Sequence, residues 1–597
     1  MCGIIGYTGY RQASEVLMEA LKRLEYRGYD SAGIAILSPN LSMHKQKGEL
    51  DRLRVRLPKI EGNVGIGHTR WATCGKPSNE NAHPFVDCTG KIAIVHNGII
   101  ENYMQLKEQL GLESNRFTSQ TDTEVIVHLI EKHFNGNLLD AVRLAMNEIK
   151  GTYAVAAMVQ GSNELIAARK ENPLVIGVGV NENFIASDVT ALLSYTNKVK
   201  YVMDGEIVSI TPDRIRIFDP EGNEVQREDF VVTWNAEDAQ KGGFSHFMLK
   251  EIFEEPQAIH NSLLGALDII KNGDILPNVQ FNSIKMIACG SSFNAAMVGK
   301  YIMEEMAKIP VTLELASEYR YSPGAKEFPL VILISQSGET ADTLAAAREA
   351  RRRGCRTLGI TNVIGSTLTR EVDEVVYTRA GPEIGVAATK TFITQLIALY
   401  IIAIRVGYAK RALGHDSMWG YLNELRKMPG IVQSVLDRAS EIEKASNILV
   451  EARDVFFIGR NINYPTVLEG ALKLKEISYI HAEGYAAGEL KHGPLALLDS
   501  KTPVIAVAIQ KDLTYDKMLA NISEVAARES PVLAIGCEGD RELAQLSDVQ
   551  ISVPCVQPLF SPIPVTIVFQ LLSYYAANKR GCSIDKPKNL AKSVTVE

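Results

Sequence analysis

Cys2 has the clearest chemical potential in this 597-residue chain, because it directly follows Met1 and precedes Gly3 in the opening MCGIIGYTG. Removal of Met1 would leave Cys2 with a free α-amine, whose pKa of about 7.7–8.0 makes it partly neutral at pH 7 and able to act as a base. Cys2 would then supply both a nucleophile and its base, and Gly3 would let backbone and substrate approach closely. A small buried thiol on an N-terminal strand is the alternative, and Cys2 alone does not exclude it.

Four residues further along have groups that can contact a charged substrate. Arg70 in HTRWAT offers a guanidinium fork, which suits a carboxylate. Asn97 and Gly98 in HNGIIEN lie at a strand-to-turn corner, where an amide and a backbone N–H can both point at a developing oxyanion; such a donor contributes about 2.7–4 kcal/mol in a transition state. Asp122 in SQTDTE can pair with a substrate ammonium, or it can simply cap the following helix. Each signal is weak when taken alone, because all four also suit ordinary turns and caps.

A second kind of site is indicated by LVILISQSGETADT, in which a buried strand ends and Thr340 opens a helix. Hydroxyl groups beside a helix N-terminus bind anions, so this turn suits a phosphate monoester, although an ordinary capped turn is the alternative. The arrangement recurs in IACGSSFNA. The predicted phosphate-binding residues are Ser335, Gln336, Ser337 and Thr340 in the first turn, and Ser291 and Ser292 in the second.

The elements that must position these residues fall into two classes. The first 235 residues or so alternate as short strands with few long helices, which predicts an α+β domain with antiparallel strands. From about residue 281 the pattern becomes buried strand, small-residue turn and long helix, and three such segments recur in the same order. This repetition predicts two tandem doubly wound parallel-sheet domains. The predicted limits are 1–235, a linker with a connecting helix at 236–275, domains at 276–420 and 445–587, and a tail at 588–597.

Composition narrows the classes of partner. The formal net charge is −7 and the sequence pI is near 6.0, so there is no general basic surface for nucleic acid or an anionic membrane. The apolar stretches LIALYIIAI and PVTIVFQLL are predicted to be buried core helices too short to span a bilayer, and MCGIIGYTGYRQ lacks the features of a signal peptide. These features predict a cytoplasmic protein that binds small molecules, with no nucleic-acid or membrane partner.

The order Cys2, RGYDSAG, HTRWAT, HNG, TDTE over roughly residues 2–220 resembles the class II glutamine amidotransferase family. That resemblance implies an N-terminal-nucleophile αββα fold in which Cys2 attacks the side-chain amide of glutamine. It also implies that Arg70 holds the α-carboxylate and Asp122 the amino group, and that Asn97 with Gly98 forms the oxyanion hole. Trp71 resembles the residue that gates an ammonia passage in such enzymes, although an ordinary core tryptophan is the alternative. Cys74 departs from the family, whose members carry histidine there.

The tandem domains resemble sugar isomerase (SIS) domains, which bind phosphosugars. Together the two resemblances imply glutamine-dependent amination and isomerisation of fructose 6-phosphate to glucosamine 6-phosphate. Lys473 and Glu476 are three residues apart and share a helix face; a surface salt bridge is the default explanation, but the resemblance places both in the sugar site, with Glu476 as the base. It also implies that His492 assists ring opening and that Lys592, in the C-terminal LAKSVTVE, forms a Schiff base with the sugar.

The resemblance implies no metal or organic cofactor, and it implies a homodimer, because SIS sites are usually built across paired subunits. Ala388 in IGVAATKTF stands where serine is common, so one polar sugar contact is in question. Two alternatives remain open from the sequence. One is a phosphosugar deaminase or deglycase with an idle glutaminase, and the other is a phosphosugar-sensing regulator, which the lack of a basic DNA-binding segment disfavours.

Overall fold

The computed structural model describes residues 2–112, 117–232, 241–264, 266, 269–270, 273, 275–276, 280–323, 330–510 and 512–595. The chain forms two compact units, Met1–Ala239 with Ala591–Glu597, and Gln240–Leu590. The finer domain limits given above remain a prediction.

The first unit contains two antiparallel sheets. Its strands are β1 Gly3–Thr8, β2 Ser31–Ser38, β3 Asn40–Lys47, β4 Val64–Arg70, β5 Phe85–Val86, β6 Ile92–Ile100, β7 Gly151–Val159, β8 Leu165–Lys170, β9 Val175–Val178, β10 Asn183–Ala186, β11 Lys198–Tyr201, β12 Ile207–Ile210, β13 Ile215–Phe218, β14 Glu224–Val225 and β15 Phe230–Val231. One sheet has the order β15-β11-β9-β10-β1-β4-β2-β3, and the other has the order β14-β13-β12-β8-β7-β6-β5.

Helices cover the outer faces of these sheets, which gives the predicted αββα layering. They are α1 Ala13–Leu24, α2 Leu50–Arg56, α3 Tyr103–Leu112, α4 Glu124–His133 and α5 Leu138–Glu148, with short 3₁₀ helices at Glu25–Arg27 and Val189–Ala191. Strand β1 shows why both faces of its sheet are covered. Ile5 packs with Leu17 and Leu21 of α1, whereas Ile4 packs with Val95 of the second sheet. Since successive strand residues point to opposite faces, a central strand must be apolar on both.

The second unit contains two parallel five-stranded sheets. Their strands are β16 Ile284–Ala288, β17 Val311–Leu315, β18 Leu330–Ile334, β19 Arg356–Thr361, β20 Glu374–Tyr377, β21 Asp454–Gly459, β22 His481–Ala486, β23 Val504–Ala508, β24 Val532–Cys537 and β25 Val549–Val553. The orders are β17-β16-β18-β19-β20 and β22-β21-β23-β24-β25. The identical order in both sheets confirms the predicted duplication of a doubly wound fold, in which ligands bind where the strand order reverses.

The helices of this unit are α6 Phe247–Phe253, α7 Glu255–Leu263, α8 Gly290–Ala307, α9 Ala316–Tyr319, α10 Ala341–Arg352, α11 Leu368–Glu371, α12 Lys390–Ala409, α13 His415–Leu436, α14 Ala439–Ala445, α15 Asn463–Ser478, α16 Tyr515–Ala526, α17 Arg541–Leu546 and α18 Pro562–Lys579. Short 3₁₀ helices span Ser446–Leu449, Ala487–His492, Pro494–Leu497 and Pro558–Phe560.

The two most apolar helices are longer than the uninterrupted apolar stretches in their sequences. Lys390–Ala409 has 20 residues, and Pro558–Lys579, which includes the preceding 3₁₀ turn, has 22, so the prediction that these segments are too short to cross a membrane was wrong. Polar residues at the ends extend both helices beyond the apolar runs. Most of each helix is nevertheless packed inside the unit, with 83% and 89% of the most apolar window buried. A helix that is apolar on all sides fits such a core position.

The contact between α15 and α18 depends on a glycine. A Cβ on Gly470 would lie 2.6 Å from Cδ2 of Phe569 and 3.0 Å from Cε1 of Phe457. Gly470→Ala should therefore lower the free energy of unfolding by about 1–3 kcal/mol through overpacking. Gly420→Ala in α13 is the matched control, because nothing lies within 4 Å of its added Cβ; it should raise stability by up to about 1 kcal/mol. Urea denaturation followed by circular dichroism measures both, and equal shifts would contradict the packing argument.

Candidate active site

Cys2 lies at the start of β1, beside the end of β4. The two strands pair antiparallel with Gly3 opposite Thr69, so Cys2 comes opposite Arg70, the last residue of β4, and next to Trp71. The backbone N–H of Trp71 donates to Cys2 Sγ at 3.3 Å. Burial raises the pKa of the Cys2 thiol, although the Trp71 N–H and the nearby guanidinium groups oppose that effect. The thiol is thus protonated at neutral pH, and a nucleophilic role requires a base.

Gly3 serves packing at this point. A Cβ there would lie 2.6 Å from Thr69 Oγ1 and 2.7 Å from Leu24 Cβ. The glycine lets β1 lie close to its neighbours, and atoms of Thr69 and Leu24 occupy the space where a side chain would be.

Arg70 ends β4 and is 3% exposed. Its Nη2 donates to the carbonyl oxygens of Cys74 and, at 3.0 Å, Gly75. Its Nη1 is buried and has no hydrogen-bond partner within the described protein. A guanidinium keeps its proton even though burial lowers the pKa of Arg70. A buried donor without a partner is costly, and a ligand carboxylate would satisfy it.

Asn97 and Gly98 lie on β6, and the structure brings Asn97 to Cys2. Asn97 Nδ2 donates to the Cys2 carbonyl oxygen at 3.0 Å, and Asn97 Oδ1 lies 3.0 Å from His68 Nε2. Gly98 has φ of +135°, and a Cβ there would lie 2.0 Å from the Thr152 carbonyl oxygen. Only glycine fits this conformation and this space.

Asp122 is 5% exposed, and its carboxylate accepts the backbone N–H of Ile100 at 2.8 Å. The N-cap of α4 is Thr123, so the alternative role of Asp122 as the helix cap was wrong. The cap position is shifted by one residue, which leaves the Asp122 carboxylate to hold the end of β6. Asp122 also contributes to the electrostatic environment of Arg70.

Three buried histidines support Asn97, and sequence reasoning missed them. His83 Nδ1 lies 2.9 Å from His68 Nε2, and both His83 Nε2 and His96 Nδ1 contact Thr123 Oγ1, at 3.1 and 2.9 Å. Burial lowers the pKa of all three, that of His68 to about 3. Their spacing in GHTRWA, AHPF and VHNG has no helical or strand periodicity that groups them. Because β4 and β6 belong to different sheets, only the packing of one sheet on the other could indicate the cluster.

The second unit holds a buried lysine between two carboxylates. Lys473 Nζ lies 2.5 Å from Glu476 Oε2 and 3.4 Å from Glu469 Oε1. Burial by itself would lower the pKa of Lys473, but the two carboxylates raise it to about 12. The side chain of Lys473 is 1% exposed and that of Glu476 is 20% exposed, so the default interpretation of this pair as a surface salt bridge was wrong.

Ser291 joins this cluster and connects the two sheets of the unit. Its hydroxyl donates to Glu469 Oε1 at 2.9 Å and accepts from Lys473 Nζ at 3.1 Å, and Asn294 Nδ2 donates to Glu469 Oε2 at 2.8 Å. Ser292 Oγ accepts from Gln395 Nε2 at 3.0 Å. Sequence reasoning missed Glu469 and Asn294; the i, i+4 spacing of Glu469 and Lys473 on one helix was the available signal.

The predicted phosphate turn has the expected shape. It follows β18, and the Ser291 turn follows β16, so the two lie at the point where the strand order reverses. Ser335 Oγ lies 2.9 Å from Thr340 Oγ1 and accepts the Gly338 N–H at 3.1 Å. Ser337 Oγ accepts the Glu339 N–H at 3.1 Å, and the Gln336 carbonyl accepts the Asn362 N–H at 3.0 Å. These bonds hold the hydroxyl groups in place before any anion arrives.

The three remaining predicted residues lie in different parts of the fold. His492 is exposed at the end of the 3₁₀ helix Ala487–His492. Lys592 lies in the tail segment that groups with the first unit, where Thr595 Oγ1 contacts Asn172 Oδ1 at 3.3 Å. Trp71 packs its ring edge-to-face on Tyr29, with centroids 5.5 Å apart. The roles of all three remain predictions.

Comparison with known proteins identifies the families that this chain resembles. The SIS domain family profile matches residues 279–405 and 448–580, and the glutamine amidotransferase domain profile matches residues 68–194. The chain is 50% identical to a glutamine–fructose-6-phosphate aminotransferase [isomerizing] of Methanosarcina acetivorans and 48% identical to one of Thermus thermophilus, with both chains covered in full. It also resembles the solved C-terminal domain of glucosamine-fructose-6-phosphate aminotransferase from Francisella tularensis, which is 40% identical with a TM-score of 0.55, covering 58% of this chain and all of that one.

The buried histidines make the first unit sensitive to acid. In the unfolded chain they protonate near pH 6.5, whereas folded His68 resists protonation until about pH 3. The unfolded state therefore binds more protons in this window, and stability should fall as pH drops below about 6.5. Urea denaturation midpoints at about pH 7.5 and about pH 5 measure the loss. His83→Gln should reduce the pH dependence, and His415→Gln, which changes an exposed histidine, should leave it unaltered. An equal response of both variants would contradict the assignment.

Proposed function

The chain belongs to the glutamine–fructose-6-phosphate aminotransferase (isomerizing) family, and from that premise we propose how its own residues perform the reaction. The enzyme moves the amide nitrogen of glutamine to fructose 6-phosphate, isomerises the sugar to glucosamine 6-phosphate and releases glutamate. Such a reaction needs a glutaminase site and a sugar site, and the two units offer one candidate each.

In the first unit, we propose that the Cys2 thiol attacks the side-chain amide carbon of glutamine. Removal of Met1 supplies a neutral α-amine that takes the thiol proton, which the raised pKa of Cys2 makes necessary. One amide N–H of Asn97 donates to the Cys2 carbonyl oxygen. The second amide N–H of Asn97 and the backbone N–H of Gly98 would both donate to the oxyanion. The tetrahedral intermediate expels ammonia, and water then hydrolyses the thioester to glutamate.

Arg70 and Asp122 would select glutamine by its two charged ends. The unpartnered Nη1 of Arg70 suits the α-carboxylate. The Asp122 carboxylate, oriented by the Ile100 N–H, suits the α-ammonium. A substrate that lacked either group would leave a buried charge unpaired, and this would discriminate against it.

In the second unit, Ser335, Gln336, Ser337 and Thr340 would bind the sugar phosphate at the N-terminus of α10, with Ser292 in the neighbouring turn. Glu476 would act as the base that moves a proton between C1 and C2. Lys473, protonated through the physiological range with its pKa of about 12, would orient the Glu476 carboxylate through their 2.5 Å contact. Ser291 would act as a positioning residue, since its hydroxyl is engaged by Glu469.

The remaining roles rest on the family. Lys592 would form a Schiff base with the open-chain ketose, which ammonia then displaces, and His492 would assist ring opening. Trp71 would gate the passage of ammonia, because ammonia released to water at neutral pH is mostly protonated and no longer nucleophilic. We also propose a homodimer in the cytoplasm, with small-molecule substrates and neither nucleic acid nor membrane as partner.

The observation that carries this proposal is the buried, unpartnered Nη1 of Arg70 in the same unit as the Cys2 thiol. The large majority of buried polar side-chain atoms in proteins have a hydrogen-bond partner. An unsatisfied donor at this place indicates a ligand with a carboxylate.

Cys2→Ala should abolish product formation. The wild-type protein, with removal of Met1 verified by mass, should form glutamate and glucosamine 6-phosphate in equal amounts from glutamine and fructose 6-phosphate. Cys74→Ala is the matched control, because it removes a thiol from the loop whose carbonyls hold Arg70 but not the nucleophile. Formation of glutamate without amino sugar would show that fructose 6-phosphate is not the acceptor. Sugar turnover that does not depend on glutamine would favour the alternative of a phosphosugar deaminase.

Glu476→Gln should lower amino-sugar formation by about 10²–10⁴-fold, the usual contribution of a general base, while basal glutamine hydrolysis persists. Glu424→Gln is the matched control, because Glu424 pairs with Lys427 at the same spacing on the exposed face of α13; it should change neither activity, since surface ion pairs contribute about 0–1 kcal/mol. A parallel loss of both activities and of stability in Glu476→Gln would indicate a purely structural ion pair.

A further inference from the structure

Cys88, His128 and Glu131 lie together in the first unit and take no part in the proposed chemistry. Cys88 lies in the turn between β5 and β6, and His128 and Glu131 are three residues apart on α4. Cys88 Sγ is 3.7 Å from His128 Nδ1, and His128 Nδ1 is 3.1 Å from Glu131 Oε2. All three donor atoms lie within 4.8 Å of one another.

These distances fit the edges of a tetrahedral zinc site. With Zn–S near 2.3 Å and Zn–N or Zn–O near 2.0 Å, a tetrahedron has S–N and N–O edges of about 3.5 Å and about 3.3 Å. The two observed separations that end on His128 Nδ1 differ from these edges by about 0.2 Å. The Cys88 sulfur and the Glu131 carboxylate lie within 4.8 Å of each other, so the three donors are close enough to share one ion. Thiolate, imidazole and carboxylate together favour Zn²⁺ over the hard cations, which prefer oxygen ligands only.

The surrounding bonds hold the donors in place. The Cys88 N–H donates to Glu131 Oε2 at 3.2 Å, an outer contact of the kind that orients a ligating carboxylate. The Asp87 carboxylate accepts the N–H groups of Lys91 at 2.7 Å and Ile92 at 2.8 Å, which fixes the turn that carries Cys88. His128 is 2% exposed and is fixed within the helix. Donors already held in position bind a metal with little loss of entropy.

We propose that Cys88, His128 and Glu131 bind one Zn²⁺ ion, with water as the fourth ligand. Cys88 is exposed, so water and metal can reach the cluster. Binding displaces the Cys88 thiol proton to solvent, and the resulting thiolate and the Glu131 carboxylate neutralise the two charges of the ion. The ion would connect the β5–β6 turn to α4, the helix that begins directly after Asp122 and Thr123.

Co²⁺ replacement tests the site in the full-length protein after chelation and dialysis. Tetrahedral Co²⁺ with a thiolate ligand gives a sulfur-to-cobalt charge-transfer band and intense visible bands. The wild-type protein should show both, saturating at one Co²⁺ per chain and bleached by one equivalent of Zn²⁺. Cys88→Ala should lose the charge-transfer band, and Glu131→Gln should weaken metal affinity by at least about tenfold. His128 is left unchanged because it is buried in the helix.

Cys355→Ala is the matched control, a partly buried thiol outside the trio, and it should bind as the wild type does. Zn²⁺ should raise the Tm of the wild-type protein and of Cys355→Ala but not that of Cys88→Ala, because only a ligand of the folded state stabilises it. Absence of the charge-transfer band, its persistence in Cys88→Ala, or an equal rise in Tm in all variants would overturn the proposal. Neither readout uses glutamine or sugar, so failure here is distinguishable from failure of the proposed function.

Discussion

The antiparallel pairing of β1 with β4 is the constraint on which the glutaminase site depends. It places Cys2 opposite Arg70 and beside Trp71, and the second sheet then brings Asn97 to the Cys2 carbonyl. A shift of register by one residue would send every side chain of β1 to the opposite face, and it would bring a larger residue to the place of Gly3, where an added Cβ would lie 2.6 Å from Thr69 Oγ1 and 2.7 Å from Leu24 Cβ. The position of Cys2 is therefore a consequence of core packing.

Buried polar groups in the two units are handled in different ways. The histidines beneath Asn97 are kept neutral by burial. His83 contacts both His68 and Thr123 through hydrogen bonds, and His96 also contacts Thr123. Lys473 instead remains charged, because Glu469 and Glu476 compensate for its loss of water. A single lysine–glutamate pair would gain less than burial costs. Ser291 and Asn294 donate hydrogen bonds to the Glu469 carboxylate. Both lie on α8, which follows a strand of the other sheet of the unit. The sugar-site candidates thus depend on the association of two homologous halves.

Two glycines lie where the backbone comes so close to neighbouring atoms that no side chain would fit. Gly98 has a left-handed φ, and its missing Cβ leaves room for the Thr152 carbonyl. Gly338 has φ of +64°, and a Cβ there would lie 2.1 Å from Ser366 Oγ. Both lie at proposed anion sites, where backbone N–H groups stabilise charge without the entropy cost of a long side chain.

The sequence by itself determined the class of fold, the duplication of the parallel-sheet domain and the kinds of residue that can do chemistry. Periodicity of two and of 3.6 residues is a local property, and so is a turn such as SQSGET, which brings its own hydroxyl groups together. Only the tertiary structure decided which distant residues meet. Ser291 and Glu469 are 178 positions apart, and Cys88 and His128 are 40 apart, so no local pattern connects them. The tertiary structure also decided that Thr123 is the N-cap residue of α4 and that Lys473 is buried beside Glu476. It further decided that the two most apolar helices extend beyond their uninterrupted apolar stretches. These outcomes depend on which faces pack together, and packing is a property of the whole chain.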